Sequence, residues 1–145
     1  MLFIVNEQEK ILHIVRSFRK VNRALYQLLS EEAKALETTA IQILVMRALA
    51  KSPDMSLGEL AERLQVGNST MSGIVERLVQ AGLVIRERSQ TDRRSLTMRL
   101  TPKGEATQRE AHFLFMERLS GILQIPDEDL QYLLDMHDLI LEKLQ

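Results

Sequence analysis

Residues Ser56 to Thr101 read SLGELAERLQVGNSTMSGIVERLVQAGLVIRERSQTDRRSLTMRLT, and this stretch decides the fold. It holds two short helical patterns joined by a tight turn, then a basic hairpin. That order predicts a winged helix-turn-helix, which lays one helix in the DNA major groove with a β-ribbon beside it. Ser56 and Glu59 have the spacing of a capping box, where each side chain satisfies the other's free backbone N–H. Leu57, Leu60, Ala61 and Leu64 then share one helical face. Gly67 is expected to supply the turn, since glycine adopts conformations that other residues resist. Asn68 or Ser69 is expected to cap the second helix.

In that second helix Met71, Ile74, Val75, Leu78 and Val79 make the apolar stripe. Ser69, Thr70, Ser72, Gly73, Glu76 and Arg77 make the opposite face. Small polar side chains let a helix backbone sit deep in a groove, and hydroxyls can serve bases or phosphates. The helix N-terminus favours a phosphate through its free N–H groups. Gly82 is placed to end the helix at the C′ position. Leu96, Met98 and Leu100 alternate with Ser95, Thr97 and Arg99, the pattern of a half-buried strand. The preceding run, Leu83 to Arg88, has no clear inward face. The loop between the two runs holds Asp92, Arg93 and Arg94. An arginine at a hairpin tip suits a narrow minor groove, and Asp92 could hold one of the two in place. The competing reading is a solvated, charged turn.

The block resembles the MarR family of bacterial winged helix-turn-helix transcriptional regulators. The resemblance rests on Leu60-Ala61, on Ser69 through Leu78, on Gly82-Leu83-Val84, on Asp92-Arg93-Arg94 and on Leu100-Thr101-Pro102-Lys103-Gly104. Upstream, Leu36 and Thr39-Ala40-Ile41-Gln42 extend it in register. It implies a fold that is mainly α with a small β-wing, a winged helix-turn-helix plus terminal helices forming a dimerisation region. The chain is then expected to be a single MarR-like domain over residues 1–145. Within it, 38–101 would be the DNA-binding module, and 5–30 and 102–145 the dimerisation helices. A two-fold dimer on double-stranded DNA asks for a pseudo-palindromic operator with half-sites roughly 34–36 Å apart. The DNA-binding positions expected are Asn68, Ser69, Thr70, Ser72, Gly73, Arg77, Arg88, Asp92, Arg93 and Arg94. Asp92 and Arg94 are carried over from the family's wing pattern. Members of the family often take small aromatic acids or other amphipathic molecules between the dimer helices and the DNA module. A small-molecule effector of that kind is therefore expected, and a dimeric repressor that it releases. The sequence does not identify its pocket, and no cofactor is expected.

The rest of the chain fits this frame. It has 145 residues, 45% of them hydrophobic, enough for one domain with its own core. No apolar run approaches the roughly 20 residues of a membrane span. The opening Met1-Leu2-Phe3-Ile4-Val5 lacks a basic leader, so no signal peptide is expected. With no cysteine there is no disulfide framework, and a cytoplasmic location fits. Net charge is −1, yet residues 56–104 carry eight basic and five acidic side chains, an excess of three that leaves −4 on the remainder. The positive charge thus sits on the proposed reading module, where counterion release strengthens phosphate binding.

Ile11, Ile14, Phe18, Val21, Leu25 and Leu28 form a heptad-like seam in a helix expected over Asn6 to Leu29. That seam could be core within one subunit or an intersubunit face, and the latter is preferred because a short domain offers few partners. Glu31 to Glu37 reads as a connection, Thr39-x-x-Gln42 as a second capping box, and Ser52-Pro53-Asp54 as a turn. Thr101-Pro102 opens a helix expected to reach about Leu123, and Pro126 to Asp129 starts the last.

Other function classes are weaker. The chain has no Gly-rich phosphate loop, metal-ligand cluster or nucleophile elbow, so an enzyme is not expected. A helical protein–protein adaptor without specific DNA binding would have no need of a hairpin with paired arginines. A metal-responsive variant would have to use His13, His112 and His137, none of which pair at i, i+3 or i+4, and no metal site is expected.

Overall fold

The structure, a computed structural model, describes residues 6–92 and 94–145. The chain runs α1 (Glu7–Ala35), α2 (Ala40–Lys51), β1 (Met55–Ser56), α3 (Leu57–Leu64), α4 (Asn68–Gln80), β2 (Val84–Arg88), β3 (Leu96–Leu100), α5 (Pro102–Leu119) and α6 (Asp127–Lys143). One antiparallel sheet has the order β1-β3-β2, with Met55 opposite Met98 and Val84 opposite Leu100. Helices around a small winged sheet match the expected class.

Local chemistry sets most of the boundaries. Asn6 caps α1 by accepting from the Glu9 N–H at 2.8 Å. Thr39 and Gln42 form a complete reciprocal box at the start of α2. At α3 the Ser56 hydroxyl accepts from the Glu59 N–H, the first half of the expected box. The α4 terminus is a Schellman motif: Leu83 N–H reaches the Leu78 carbonyl, Gly82 N–H reaches Val79, and Gly82 takes φ 74.

The segment after β3 fastens this same terminus. The Thr101 hydroxyl donates to the Gly82 carbonyl at 2.6 Å and accepts from the Gly104 N–H at 3.0 Å. Lys103 donates to the Ala81 carbonyl at 2.9 Å. Gly104 packs so closely on Leu83 that a Cβ there would lie 2.0 Å from the Leu83 carbonyl oxygen.

The core runs from Leu29 to Ala111 and joins α1, α2, α3, α4, the sheet and α5. Ile43, Met46, Leu49, Leu60, Met71 and Leu78 are its large, fully buried side chains. Arg47 of α2 lies over the Phe115 ring of α5, 5.7 Å from its centroid, a cation–π contact. Arg118 of α5 forks to Glu31 and Glu32 of α1, each at 2.9 Å. By contrast, α6 has no buried residue.

Several expectations are corrected. The polar stretch from Glu31 is not a connection; α1 continues to Ala35 because Leu29 and Ala33 are buried against the module. The turn between α3 and α4 uses Gln65, at φ 53 and ψ 46, while Gly67 has an ordinary φ of −65. Gly67 is itself the N-cap of α4, without a side-chain cap bond, so neither Asn68 nor Ser69 caps it. The helix opened by Thr101 stops at Leu119, and Ser120–Gln124 is 3-10 helix. Strand β1, at Met55–Ser56, has no counterpart among the elements that the sequence predicts. Of the two readings of the α1 seam, the core reading fails for Ile11, Ile14, Phe18 and Val21, which are exposed as the preferred reading expects, while Leu25 and Leu28 are half-buried.

Candidate nucleic-acid interface

The apolar stripe of α4 does what its periodicity predicts. Met71, Ile74, Val75 and Leu78 are buried, which turns the other face outward. Asn68, Ser69, Thr70, Ser72, Gly73 and Arg77 are all exposed. The first turn of α4 presents backbone N–H groups beside three short polar side chains, chemistry suited to a phosphate or a base edge. At Gly73 nothing lies within 4 Å of where a Cβ would stand, so the backbone is open to close approach.

Glu76 does not stand alone on that face. Its carboxylate accepts from Arg86 of β2 and from Gln80 one turn on. The Arg86 bridge neutralises the Glu76 carboxylate and ties α4 to β2. Both partners are more than a third exposed, so the pair adds little stability and acts mainly on local charge. The role of Arg86 was not legible in the sequence, because the facing of its strand was open.

The hairpin of β2 and β3 projects from the buried Met98 and Leu100. Leu96, expected on the inward face, is 47% exposed because it lies at the distal end of the strand, beyond the core. Arg88 is exposed at the end of β2. Asp92 organises the tip. Its carboxylate accepts from the Arg94 N–H at 3.0 Å and from the Ser95 hydroxyl at 3.1 Å. The Asp92 carbonyl accepts from the Ser95 N–H, and the Ser89 hydroxyl accepts from the Asp92 N–H. So Asp92 fixes backbone, and it sets the position of Arg94 through the main chain rather than by gripping its guanidinium. Arg94 is exposed there. Arg93, the other wing arginine singled out in the sequence, lies outside the described residues.

Helix face and wing adjoin. A cleft of about 460 Å³ separates them, bordered by Ser72 of α4 and by Arg86 and Arg94 of the wing. Leu57, Val75, Leu96 and Met98 line its apolar part. Away from this surface, His137 of α6 packs against Phe18 of α1 with ring centroids 5.3 Å apart. Among the described residues no group of three or more metal-ligating side chains comes together.

Comparison with known proteins agrees with this geometry. The description of the MarR family matches residues 37–95, from just after the C-terminal cap of α1 to the wing. The chain is 38% identical over 81 residues to the HTH-type transcriptional regulator BilQ of Clostridium symbiosum, covering 56% of each chain. It is 37% identical over 62 residues to the homoprotocatechuate degradative operon repressor of Escherichia coli, covering 43% of this chain and 42% of that protein. The chain spans about half the length of these relatives. The crystal structure of wild-type MarR from E. coli in its apo form superposes with a TM-score of 0.71 at 25% identity, covering 89% of this chain and 94% of that one.

Proposed function

We propose that this chain is a member of the MarR family and acts as a dimeric, sequence-specific DNA-binding transcriptional regulator, a repressor. One observation carries the reading: an open, small and hydroxyl-rich helix face adjoins a wing whose tip holds an exposed arginine on an ordered turn. Asn68, Ser69, Thr70, Ser72, Gly73 and Arg77 enter the major groove. Arg94 reaches the minor groove, with Arg88 and Arg93 contributing along the wing. Asp92 holds the tip in shape.

Residues 38–101 serve as the reading module, and 5–30 with 102–145 as dimerisation helices. Support for the latter comes from the uncovered seam of α1 and from Leu133, Leu134, Leu141 and Leu144 on α6, all exposed in the single chain. Release by a small amphipathic or aromatic molecule is supported by the cleft between α4 and the wing. Its apolar lining and flanking arginines suit such a molecule, and an occupant there would compete with DNA for Ser72 and Arg94.

The test is a salt-controlled DNA-binding titration of Arg94→Ala. A loss of about 1–3 kcal/mol is expected if Arg94 reads a groove. Unchanged affinity removes the wing from the interface. No DNA binding by the wild-type protein even at low salt would favour a protein–protein adaptor.

A further inference from the structure

Asp54 occupies the turn between α2 and β1 with φ 65, a left-handed conformation that asparagine and aspartate tolerate better than most residues. Its N–H donates to the Met98 carbonyl at 3.1 Å, which starts the two-residue ladder of β1 on β3. Its carboxylate meets Arg99 of β3 in a fork. Arg99 Nε donates to Oδ1 at 3.1 Å, and Nη2 donates to Oδ1 at 3.0 Å and to Oδ2 at 2.8 Å. A forked pair fixes orientation as well as distance. The Asp54 hydrogen bond, the Asp54 charge and then the charge of Glu87 all raise the Arg99 guanidinium above its ordinary value.

The mechanical consequence follows from where the pair sits. β3 is the central strand of the sheet and carries the wing. On its β1 side only Met55 and Ser56 pair with it. Asp54 is anchored directly after α2, whose Ile43, Val45, Met46 and Leu49 are buried in the core. The fork therefore extends a short backbone ladder with a side-chain brace between the core and the lever that holds Arg94.

We propose that Arg99 and Asp54 are positioning residues for the wing: their fork sets the tilt of the β2–β3 hairpin so that Arg94 meets DNA, and Arg99 itself touches no phosphate. This rests on the DNA-binding reading above. Arg99 has its charge matched by Asp54, as Arg86 has its own matched by Glu76.

The test measures binding to a fluorescent duplex enriched by the wild-type protein from a random pool, across a range of KCl. Arg99→Met and Asp54→Asn are each made alone and in the Arg94→Ala background, and thermal melting is recorded for every variant. Asn at position 54 keeps the left-handed turn while removing the charge. Each single variant should bind about threefold to tenfold more weakly, at an almost unchanged melting temperature and salt slope. In the Arg94→Ala background the same changes should have little further effect, because pair and arginine then act through one wing. Three results overturn the proposal. Asp54→Asn could bind as well as or better than wild type, or Arg99→Met could lower the salt slope by about 0.9, the signature of a lost phosphate contact. Or the losses could add in full to that of Arg94→Ala. Wild-type protein that binds DNA with no dependence on Arg94 removes the wing, and this positioning with it, while the regulator reading stands. Wild-type protein that enriches and binds no duplex overturns both.

Discussion

Asp92 turns its carboxylate onto the wing's own backbone, and that decides what its removal does. Asp92→Ala deletes the acceptor for the Arg94 N–H and the Ser95 hydroxyl. The tip is exposed, so global stability should change little. DNA affinity should fall about fivefold, the worth of roughly 1 kcal/mol of lost preorganisation. Asp92→Asn keeps the Oδ1 acceptor and should recover most of it in the same anisotropy titration. A wing aspartate that contacted DNA directly would not be rescued in this way. Gly104 gives the opposite case, a residue that matters only to the fold. A Cβ at that position would stand 2.0 Å from the Leu83 carbonyl oxygen, which also accepts from the Thr101 N–H. Gly104→Ala should therefore cost at least about 1–3 kcal/mol, read as a lower denaturation midpoint. The pattern Leu100-Thr101-Pro102-Lys103-Gly104 thus has a physical basis. Thr101, Lys103 and Gly104 all engage Ala81 to Leu83 at the end of α4.

Among the elements, α4 carries the sharpest contrast between folding and function. Gly73 lies inside the helix on its exposed face, with nothing near the site of an added Cβ. Gly73→Ala should stabilise the protein by up to about 1 kcal/mol through helix propensity. It should also weaken DNA binding, because the methyl group stands between backbone and groove. A stabilised variant with unchanged DNA affinity would take this face of α4 away from DNA. The face was legible in the sequence because burial of Met71, Ile74, Val75 and Leu78 fixes the rotation of the helix. The caps at Thr39 and Thr101 and the Gly82 terminus were legible for the same reason: their partners lie three to five residues away. What was hidden depends on distant partners. β1 is two residues long and exists only as an edge to Met98 and Thr97. Gln65 and Glu37 take the left-handed turns at helix ends where glycine would be the local choice. Arg86 finds Glu76 and Arg99 finds Asp54 only after the hairpin has docked.

For the whole molecule, area is the deciding quantity. A folded monomer of 16.7 kDa should expose about 7,600 Å². This chain exposes 11123 Å². The difference, roughly 3,500 Å² on one chain, exceeds the roughly 1,000–2,500 Å² that each partner contributes to an obligate interface. Exposed apolar side chains gather on α1, the end of α5, the 3-10 segment after it and α6 with its C-cap, among them Ile11, Val21, Phe113, Leu123, Leu141 and Leu144. A second copy covering those helices would set two α4 helices in a fixed two-fold relation, and the spacing between them becomes the quantity an effector can change. The charge pattern fits, since a second copy would double the excess of three positive charges on residues 56–104. The most direct measurement is DNA selection from a random-sequence pool at near-physiological salt, followed by titration of the enriched duplex. A symmetric regulator predicts a two-fold palindrome with half-sites about 34–36 Å apart, bound with a steep salt dependence. An unenriched pool, bound only weakly and only at low salt, would contradict it.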